Sequence, residues 1–171
     1  MHMLLRTLWV FLLRGRVQKA TAFDETEITM RVLPVDLDLL MHVNNGVYFS
    51  FMDFGRWDMI FRNGSYDLAK RNGWYSVVAG ETIKFKRSLK LWDKFTLRTR
   101  IVGHDAKYFF IEQKFLLKDQ EMARGLVKVR FLKRAGGTVG VGEILKELNM
   151  EEKHVPELSS DWANLEGKYF Y

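Results

Sequence analysis

The 171-residue sequence contains no cysteine. This absence excludes disulfide bonds, thiolate metal ligands and a cysteine nucleophile. It also fits a reducing compartment, so we expect a cytoplasmic protein, at most peripheral to the inner membrane surface. The four histidines are far apart in the sequence, and no two have the spacing of metal ligands, so we expect no metal site.

Proline is nearly as rare, since Pro34 and Pro156 are the only two. Neither lies in a linker-like stretch, and the sequence shows no internal repeat and no low-complexity block. The length suits one domain with a substantial core. We predict that this domain covers residues 24–134, between an apolar and basic N-terminal helix over residues 1–20 and a helical C-terminal extension over residues 135–171.

Positive charge exceeds negative charge, with a net charge of +6 and an isoelectric point near 9.5. The basic residues are scattered, without a dense run. A basic surface suits an anionic partner, yet scattered charge is equally typical of a surface that keeps a protein in solution. No recognisable nucleic-acid-binding module is present, so we do not expect a nucleic-acid partner.

Residues 3–13, MLLRTLWVFLL, form an apolar stretch near the N-terminus. Eleven residues are too few to cross a bilayer as a helix. The stretch predicts either a helix that lies in a membrane interface, anchored by Trp9 and Phe11, or a helix that packs on the domain or on a partner subunit. We favour the packed helix and keep a peripheral membrane contact as the alternative.

The apolar pattern of the central domain predicts one long helix and several strands. Residues 46–62 carry apolar side chains on nearly every helical face, which indicates a buried helix about 25 Å long. The predicted strands, which alternate with period two, cover residues 25–32, 74–89 with an interruption near Gly80, 95–101, 107–117 and 123–133, and a short helix covers residues 143–148. An antiparallel sheet has to cover its apolar face, and the long helix is the element able to do so. The expected fold is α+β, with an antiparallel sheet wrapped around a central helix.

The loop before the long helix holds the densest group of chemically active side chains. Residues 36–48, DLDLLMHVNNGVY, contain two carboxylates, an imidazole, two amides and a phenol. The N-terminus of a helix offers unpaired N–H groups and positive potential, which a developing oxyanion needs. We expect a carboxylate of this loop to attack or to activate water, while the amides of residues 45–47 hold a carbonyl oxygen. His42 or Asn44 would orient the carboxylate or the water.

These residues also have structural interpretations. Aspartates make turns and asparagines cap helices, and we favour these roles for Asp36 and Asn44. A single histidine such as His42 is more often structural. Asp38 and His42 together, just before a buried helix, favour a catalytic site centred on Asp38.

The spacing Asp-x-Asp-x-x-x-His-x-Asn-Asn-x-x-Tyr over residues 36–48 resembles the 4-hydroxybenzoyl-CoA thioesterase-like branch of the hotdog superfamily. The loop is also similar to that of plant acyl-carrier-protein thioesterases. The resemblance covers about residues 25–133, through Asp53 and the segments 82–85, 91–93 and 103–113. It implies a hotdog fold and a homodimer or homotetramer with the active site at the dimer interface. It also implies a hydrolase of lipid metabolism that cleaves acyl-CoA or acyl carrier protein thioesters without a cofactor, coenzyme A being part of the substrate.

The resemblance further implies roles for single residues. Asp38 takes the position of the catalytic aspartate, and the backbone N–H of Asn45 takes that of the group which polarises the thioester carbonyl. Lys84 belongs to a basic group able to bind the phosphates of coenzyme A, although such a group is also typical of a solvated face. The expected catalytic residues are Asp38, His42 and Asn45, and the expected substrate-binding residues are Asn44, Gly46, Tyr48 and Lys84.

One position departs from the plant enzymes, which carry an asparagine two residues after the aspartate where this sequence has Leu40. The difference favours a simpler mechanism, in which Asp38 acts as nucleophile or as general base. Asp53, in the middle of the long helix, is expected to be buried and paired with Arg56. This is a structural role rather than a catalytic one.

Two other functions stay open on the sequence alone. A hydratase or dehydratase of the same fold also uses an aspartate and a histidine that are close in sequence, but it usually has an Asn-Pro between them, which is missing here. A non-catalytic protein that binds acyl chains or scaffolds a membrane complex is the other alternative. Leu40, at the position of the plant asparagine, and the apolar stretch 3–13 are both compatible with this non-catalytic function.

Overall fold

The computed structural model describes residues 19–21, 23–149 and 153–169. The prediction for residues 3–13, and nearly all of that for residues 1–20, lies outside the described residues. Within the described ranges, no helix is long and apolar enough to cross a membrane.

The described elements follow the order expected from the sequence. Their bounds are β1 (Thr26–Arg31), a 3-10 turn (Pro34–Asp36), α1 (Asn45–Arg62), α2 (Ser65–Arg71), β2 (Trp74–Phe85), β3 (Lys94–His104), β4 (Phe109–Leu117), β5 (Gln120–Lys133), β6 (Thr138–Val139), α3 (Val141–Glu147) and α4 (Pro156–Tyr169). The predicted strands, the long helix and the short helix are all present, with ends shifted by a few residues. The sequence analysis missed α2, which follows Gly64 in a left-handed conformation with φ 78°.

The strands form one antiparallel sheet in the order β1-β3-β4-β5-β2, and β6 pairs with the end of β5. The interruption expected near Gly80 is confirmed, because the register of β2 against β5 shifts between Val78 and Gly80. A Cβ atom at Gly80 would lie 3.0 Å from the ring of Trp162 in α4. The irregularity therefore coincides with a close approach of the C-terminal helix.

The curled sheet wraps around α1, which is largely buried as predicted. The absence of a side chain at Gly55 lets the helix approach β3 and β4 closely. A Cβ atom there would lie 2.5 Å from Thr99 Oγ1 and 2.7 Å from Gln113 Nε2. The result is the expected α+β arrangement of an antiparallel sheet around a central helix.

Aromatic rings fill the space between α1 and the sheet. The ring centroids of Phe51 and Phe95 are 5.1 Å apart, and those of Tyr48 and Phe115 are 5.0 Å apart. All four side chains are fully buried. Large rings remove much apolar surface from water, so these contacts fix the helix on the inner face of the sheet.

The C-terminal helix α4 covers the opposite, outer face. Gly125 in β5 faces Met52 of α1, so Lys128, three residues later, points to the outer face because side chains alternate along a strand. Its Nζ lies 2.6 and 2.7 Å from the two carboxylate oxygens of Glu166 in α4. The ring of Trp162 packs beside that nitrogen, 5.6 Å from ring centroid to Nζ.

Candidate active site

The loop between β1 and α1 is built around a buried aspartate. Asp36 is inaccessible to solvent, and its Oδ2 accepts a hydrogen bond of 2.7 Å from the backbone N–H of Leu33. Its carbonyl oxygen accepts from the N–H of Asn44 at 2.9 Å. These contacts support the structural role that the sequence favoured for Asp36, which ties the loop to the start of the helix.

Asp38 lies in a tight turn in the middle of this loop. Its backbone N–H donates to the carbonyl of His42 at 2.8 Å, and the N–H of Met41 donates to the carbonyl of Asp38 at 3.1 Å. One carboxylate oxygen, Oδ1, accepts from the N–H groups of Leu40 at 2.8 Å and His42 at 3.3 Å. The turn thus fixes the carboxylate through one oxygen, while Oδ2 makes no hydrogen bond to a described residue.

The start of α1 leaves one backbone donor available. The side chain of Asn44 accepts from the N–H of Gly46 at 2.9 Å, and its carbonyl accepts from the N–H of Val47 at 2.9 Å. Within the described ranges the N–H of Asn45 has no such partner. Because the first N–H groups of a helix carry positive potential, the N–H of Asn45 is the donor best placed to bind a carbonyl oxygen. The capping role favoured for Asn44 is confirmed.

The remaining predicted site residues have different surroundings. His42 contacts the carboxylate of Asp38 through its backbone N–H. Tyr48 is buried, which raises the pKa of its phenol, and its hydroxyl accepts a hydrogen bond of 3.1 Å from the N–H of Leu89. Lys84 is exposed on β2, opposite Arg124 of β5. The structure therefore places Asp38 and His42 in one turn shortly before Asn45, which begins α1. Tyr48 contacts the segment between β2 and β3, and Lys84 lies on β2.

A second cluster of polar side chains surrounds the middle of α1. Arg56 is buried, forms an ion pair with Asp53 and lies 2.9 Å from Gln113 Oε1 and 3.5 Å from Glu81 Oε2. The predicted pairing of Asp53 with Arg56 is confirmed, but the predicted burial of Asp53 is wrong, since its side chain is 58% exposed. The arginine is the buried partner because Gln113 reaches it from β4. Burial also raises the pKa of Glu81.

The buried carboxylate of α1 is Asp58, which the sequence analysis missed. Its Oδ2 lies 2.7 Å from Nε of Arg62 in an ion pair between residues four apart. Burial raises the pKa of the Asp58 carboxyl, and the arginine opposes that rise. The i,i+4 spacing of opposite charges was the available signal, and it indicates a structural pair.

A largely apolar cavity of about 160 Å³ lies between the second half of α1 and the sheet. Its polar lining comes from Asp53, Arg56, Asn63, Ser65 and Ser76. Its apolar lining consists of Trp57, Met59, Ile60, Val77, Val78, Ile101, Phe109, Ile111, Val129, Phe131, Ile144 and Leu148. No sequence pattern predicted this cavity, because its walls come from several different helices and strands.

Asp38 does not line the cavity within one chain. The first lining residue of α1, Asp53, comes eight residues after Asn45, which corresponds to about 12 Å along a helix. The loop that contains Asp38 and the cavity therefore lie towards opposite ends of α1. No group of three or more potential metal-ligating side chains occurs in the part of the chain that the structure describes.

A family model described as the thioesterase-like superfamily matches residues 32–161, which is most of the chain. The chain belongs to this superfamily. The resemblance seen in residues 36–48 is therefore confirmed at the level of the family, and with it the hotdog fold.

Two proteins named THEM6 are similar to this member of the thioesterase-like superfamily. The protein from Danio rerio is 34% identical over 161 residues, which are 92% of this chain and 77% of that protein. The protein from Xenopus laevis is 40% identical over 110 residues, which are 63% of this chain and 53% of that protein. The chain thus matches about half of the length of the Xenopus protein.

Among solved structures, a thioesterase from Thermus thermophilus in complex with coenzyme A and Zn is similar to this chain. The two are 26% identical, with a TM-score of 0.63, and the match covers 75% of this chain and 93% of the other. The antiparallel sheet and central helix are thus shared with a thioesterase.

Proposed function

We propose that this protein hydrolyses acyl thioesters with Asp38 as the central catalytic residue. The observation that carries the proposal is that two available groups occur within the segment from Asp38 to the start of α1. The Asp38 carboxylate is fixed through Oδ1 and leaves Oδ2 available, and the N–H of Asn45 lacks a partner within the described ranges. Membership of the thioesterase-like superfamily supports this reaction over the hydratase alternative.

The two groups suit the two needs of thioester hydrolysis. The N–H of Asn45 would donate to the thioester carbonyl oxygen and stabilise the negative charge that forms there. Asp38 would act on the carbonyl carbon, either directly or by taking a proton from an attacking water. When Asp38 acts as the base, water adds to the carbonyl carbon, the carbon–sulfur bond breaks, and the acyl group leaves as a carboxylate. When Asp38 attacks directly, the carbon–sulfur bond breaks as an acyl–Asp38 anhydride forms, and a water molecule then hydrolyses the anhydride to the carboxylate and restores Asp38. In both routes the thiolate leaves and takes up a proton.

We further propose acyl-CoA as the substrate. The Thermus thermophilus relative was solved with coenzyme A, and a phosphate-bearing ligand suits the exposed basic side chains at the end of β2 and in the turn after it. These are Lys84, Lys86, Arg87 and Lys90. An acyl carrier protein remains the alternative thiol carrier, since its acyl thioester presents the same reacting atoms.

The cavity beside α1 is the proposed site of the acyl group. An apolar protein cavity of about 150 Å³ is large enough for benzene, so the cavity of about 160 Å³ has room for a benzenoid ring or about six carbons. We therefore expect hexanoyl-CoA and benzoyl-CoA to be better substrates than palmitoyl-CoA.

A homodimer would explain how the loop and the cavity act together. β2 is an edge strand of twelve residues, with Tyr75, Val78 and Phe85 exposed. An unpaired edge of this length is a template for another strand. We propose that two copies pair along β2, in line with the interfacial active site that the resemblance implied, so that the loop of one copy serves the cavity of the other.

The test is thiol release from acyl-CoAs of different size, read with a thiol-reactive dye. The protein has no cysteine and gives no background signal. We expect release by the wild type and a loss of at least about a hundredfold in Asp38→Asn, in line with other catalytic acid–base groups. The asparagine keeps an oxygen that accepts from the N–H of Leu40, so this variant is expected to fold.

Asp119→Asn is the matched control, because Asp119 also lies in a turn, with φ 63°, a conformation that asparagine tolerates well. We expect it to retain full activity. Unchanged thiol release by a folded Asp38→Asn protein would contradict the assignment. Tight binding of acyl-CoA without any release would instead favour the non-catalytic, acyl-binding function.

A further inference from the structure

The last residue of β3, His104, is buried, and both nitrogens of its ring are hydrogen-bonded. Nδ1 lies 3.2 Å from the carbonyl oxygen of Asp105, and Nε2 lies 3.0 Å from the backbone nitrogen of Lys153. A carbonyl oxygen accepts and a backbone N–H donates. Nδ1 therefore carries a proton and Nε2 carries none, so these two contacts hold the ring as the neutral Nδ1–H tautomer.

These contacts attach the segment that leads into α4. The backbone N–H of His104 donates to the carbonyl of Lys153 at 3.0 Å, and the N–H of Val155 donates to the carbonyl of His104 at 3.0 Å. Together with the bond to Nε2, they fix residues 153–155 beside the end of β3. Because α4 begins at the next residue, Pro156, its position depends on this attachment.

Protonation of His104 would break one of the three hydrogen bonds. A second proton on the ring turns Nε2 from an acceptor into a donor, which would then face the N–H of Lys153 over 3.0 Å. The ring is buried, so water does not reach it to take up the new N–H. An ordinary imidazole gains this proton at about pH 6.5.

The charges next to His104 give a positive ring little compensation. Apart from one carboxylate and one phenol, the neighbouring titratable groups are basic; they are Asp105, Lys107 and Tyr108 in the turn after β3, Lys128 of β5, and Lys153 and His154 in the attached segment. The exposed ring of His154 has its centroid 5.8 Å from that of His104 and would itself gain charge at acidic pH. Repulsion between the two rings would add to the lost hydrogen bond.

The carboxylate of Asp105 provides a second attachment that does not change in the same pH range. Its Oδ2 accepts from the hydroxyl of Ser159 in α4 at 2.6 Å, and its Oδ1 accepts from the N–H groups of Lys107 and Tyr108 at 2.7 Å each. Burial acts to raise the pKa of Asp105, but these hydrogen bonds outweigh burial and lower the pKa overall. Asp105 therefore stays ionised where an imidazole titrates.

We propose that His104 is a pH-sensitive attachment point for the C-terminal segment. Its neutral ring holds residues 153–155 against β3, and its protonation loosens this segment and α4 with it. The docked segment excludes the second proton, so docking weakens as the pH falls. Uptake of one proton on release raises the equilibrium constant for release about tenfold per pH unit below about pH 6.5. The inference is independent of thioester hydrolysis.

Release of α4 would uncover apolar surface on the sheet. Phe110 of β4 is fully buried, and its ring centroid lies 6.2 Å from that of Trp162 in α4. The ion pair of Lys128 with Glu166 also joins the helix to the sheet. Acidic pH would therefore expose Phe110 to solvent, and α4 is a cover whose hold on the outer face depends on pH.

Hydrogen exchange of the full-length chain, followed by mass spectrometry of its peptides, tests the proposal. The measurement compares about pH 7.5 with about pH 5.5, on either side of the ordinary imidazole pKa of about 6.5. After correction for the intrinsic effect of pH on exchange, we expect the protection of residues 153–169 to fall about tenfold at the lower pH. Peptides from α1 are expected to keep their protection.

Two glutamine variants assign the effect to one ring. His104→Gln replaces Nε2 by an amide that can turn an oxygen towards the N–H of Lys153 and does not titrate, so its protection should be the same at both pH values. His154→Gln is the matched control, the same change at the exposed neighbouring histidine. It is expected to retain the pH-dependent loss of protection seen in the wild type.

A measurement on the wild type makes the test independent of whether a variant folds. The nitrogen chemical shifts of a histidine ring identify its tautomer, and we expect the Nδ1–H form for His104 at about pH 7.5. The Nε2–H form at that pH would overturn the proposal. Equal wild-type protection of residues 153–169 at both pH values would do so too, as would an undiminished loss of protection in a folded His104→Gln protein.

Discussion

Gly55 shows how a single position determines the fit of the central helix to the sheet. The hydrogen in place of a side chain allows the backbone of α1 to lie against Thr99 of β3 and Gln113 of β4. Gln113 cannot move aside without cost, because its Nε2 donates to the carbonyl of Met52 at 2.9 Å and to Thr99 Oγ1 at 3.0 Å. The close approach and this hydrogen-bond network therefore depend on each other.

We predict that Gly55→Ala lowers the free energy of unfolding by about 1–3 kcal/mol, the usual cost of overfilling a packed core. Gly142→Ala is the matched control, since nothing lies within 4 Å of a Cβ atom at that helical position. The control should be neutral or stabilising by about 0.4–1 kcal/mol. Urea unfolding curves of the three proteins check the prediction, and equal midpoints for Gly55→Ala and the wild type would contradict it.

The sequence could place the charged residues of α1 on the helix but could not tell which of them are buried. Asp53 was expected inside because apolar residues surround it in sequence, yet it is exposed and Arg56 is buried. The decisive partner, Gln113, is 57 positions away from Arg56 along the chain. Burial of a charge depends on such distant partners, which a local pattern does not reveal.

At the scale of the elements, the β4–β5 hairpin is held by an ionic group at its tip. The Glu121 carboxylate lies 2.5 Å from Arg124 Nη2 and 2.6 Å from Lys86 Nζ. These hydrogen bonds, from Arg124 first and Lys86 second, lower the pKa of Glu121 from 4.5 to about 2. The group links β5 to the segment after β2.

The lowered pKa of Glu121 makes the stability of the protein depend on pH in a definite direction. Below pH 4.5 the unfolded chain protonates Glu121 before the folded protein does, so this contribution to stability is present above that pH and is lost as the pH falls towards about 2. Glu121→Gln should lower stability at neutral pH by about 1 kcal/mol or less, because the group is solvent-screened. It should also flatten the decline between pH 4.5 and about 2.

Urea midpoints measured across this pH range check that prediction. Glu147→Gln, at the end of α3, serves as the control for loss of a carboxylate and should keep the wild-type slope. If Glu121→Gln and the wild type lost stability in parallel as the pH fell, Glu121 would not be the source of the acid sensitivity.

The positions of the elements were more predictable than the geometry of the site. Period-two alternation and the apolar run of α1 found the strands and the long helix because burial selects apolar residues at regular intervals. The turn at Asp38 was not predictable in detail, because Met41 adopts φ 59° there and no glycine marks the position. Which N–H groups of α1 stay available also depends on where the side chain of Asn44 folds back, and the sequence does not specify that direction.

At the scale of the whole molecule, the two edges of the sheet differ in length. β1 has six residues, whereas β2 has twelve and carries several exposed apolar side chains. Long, apolar edges favour pairing with another strand. The edge of β2 is therefore the surface along which we propose that the homodimer forms.

We predict that Val78→Lys shifts the protein from dimer to monomer, because a charged lysine on an edge opposes strand pairing. Thr29→Lys, which places the same charge at an exposed position on β1, the other edge strand, should leave the dimer intact. Light scattering after size exclusion gives the mass of each protein directly. A wild type that is monomeric at all concentrations would contradict the proposed pairing.

The cavity lay beyond the sequence analysis because it is assembled from segments that are distant in the chain. Trp57 and Phe131, for example, are both part of its lining. Local patterns report whether a residue suits a helix, a strand or a turn, and they carry little information on which surfaces meet. The candidate site around Asp38 could be proposed from the sequence because its residues are contained in thirteen consecutive positions.

The docking of α4 on the outer face determines the directions in which an assembly can grow. Two sheets stack face to face only where nothing lies between them, at a separation of about 10 Å. Here the ion pair of Lys128 with Glu166 and the ring of Trp162 keep a helix in that space over β4 and β5. Because Trp162 also reaches Gly80 of β2, stacking back to back on this face would first have to displace α4. The proposed pairing uses the backbone edge of β2 and not this face. Of the homodimer and the homotetramer, this architecture favours the homodimer.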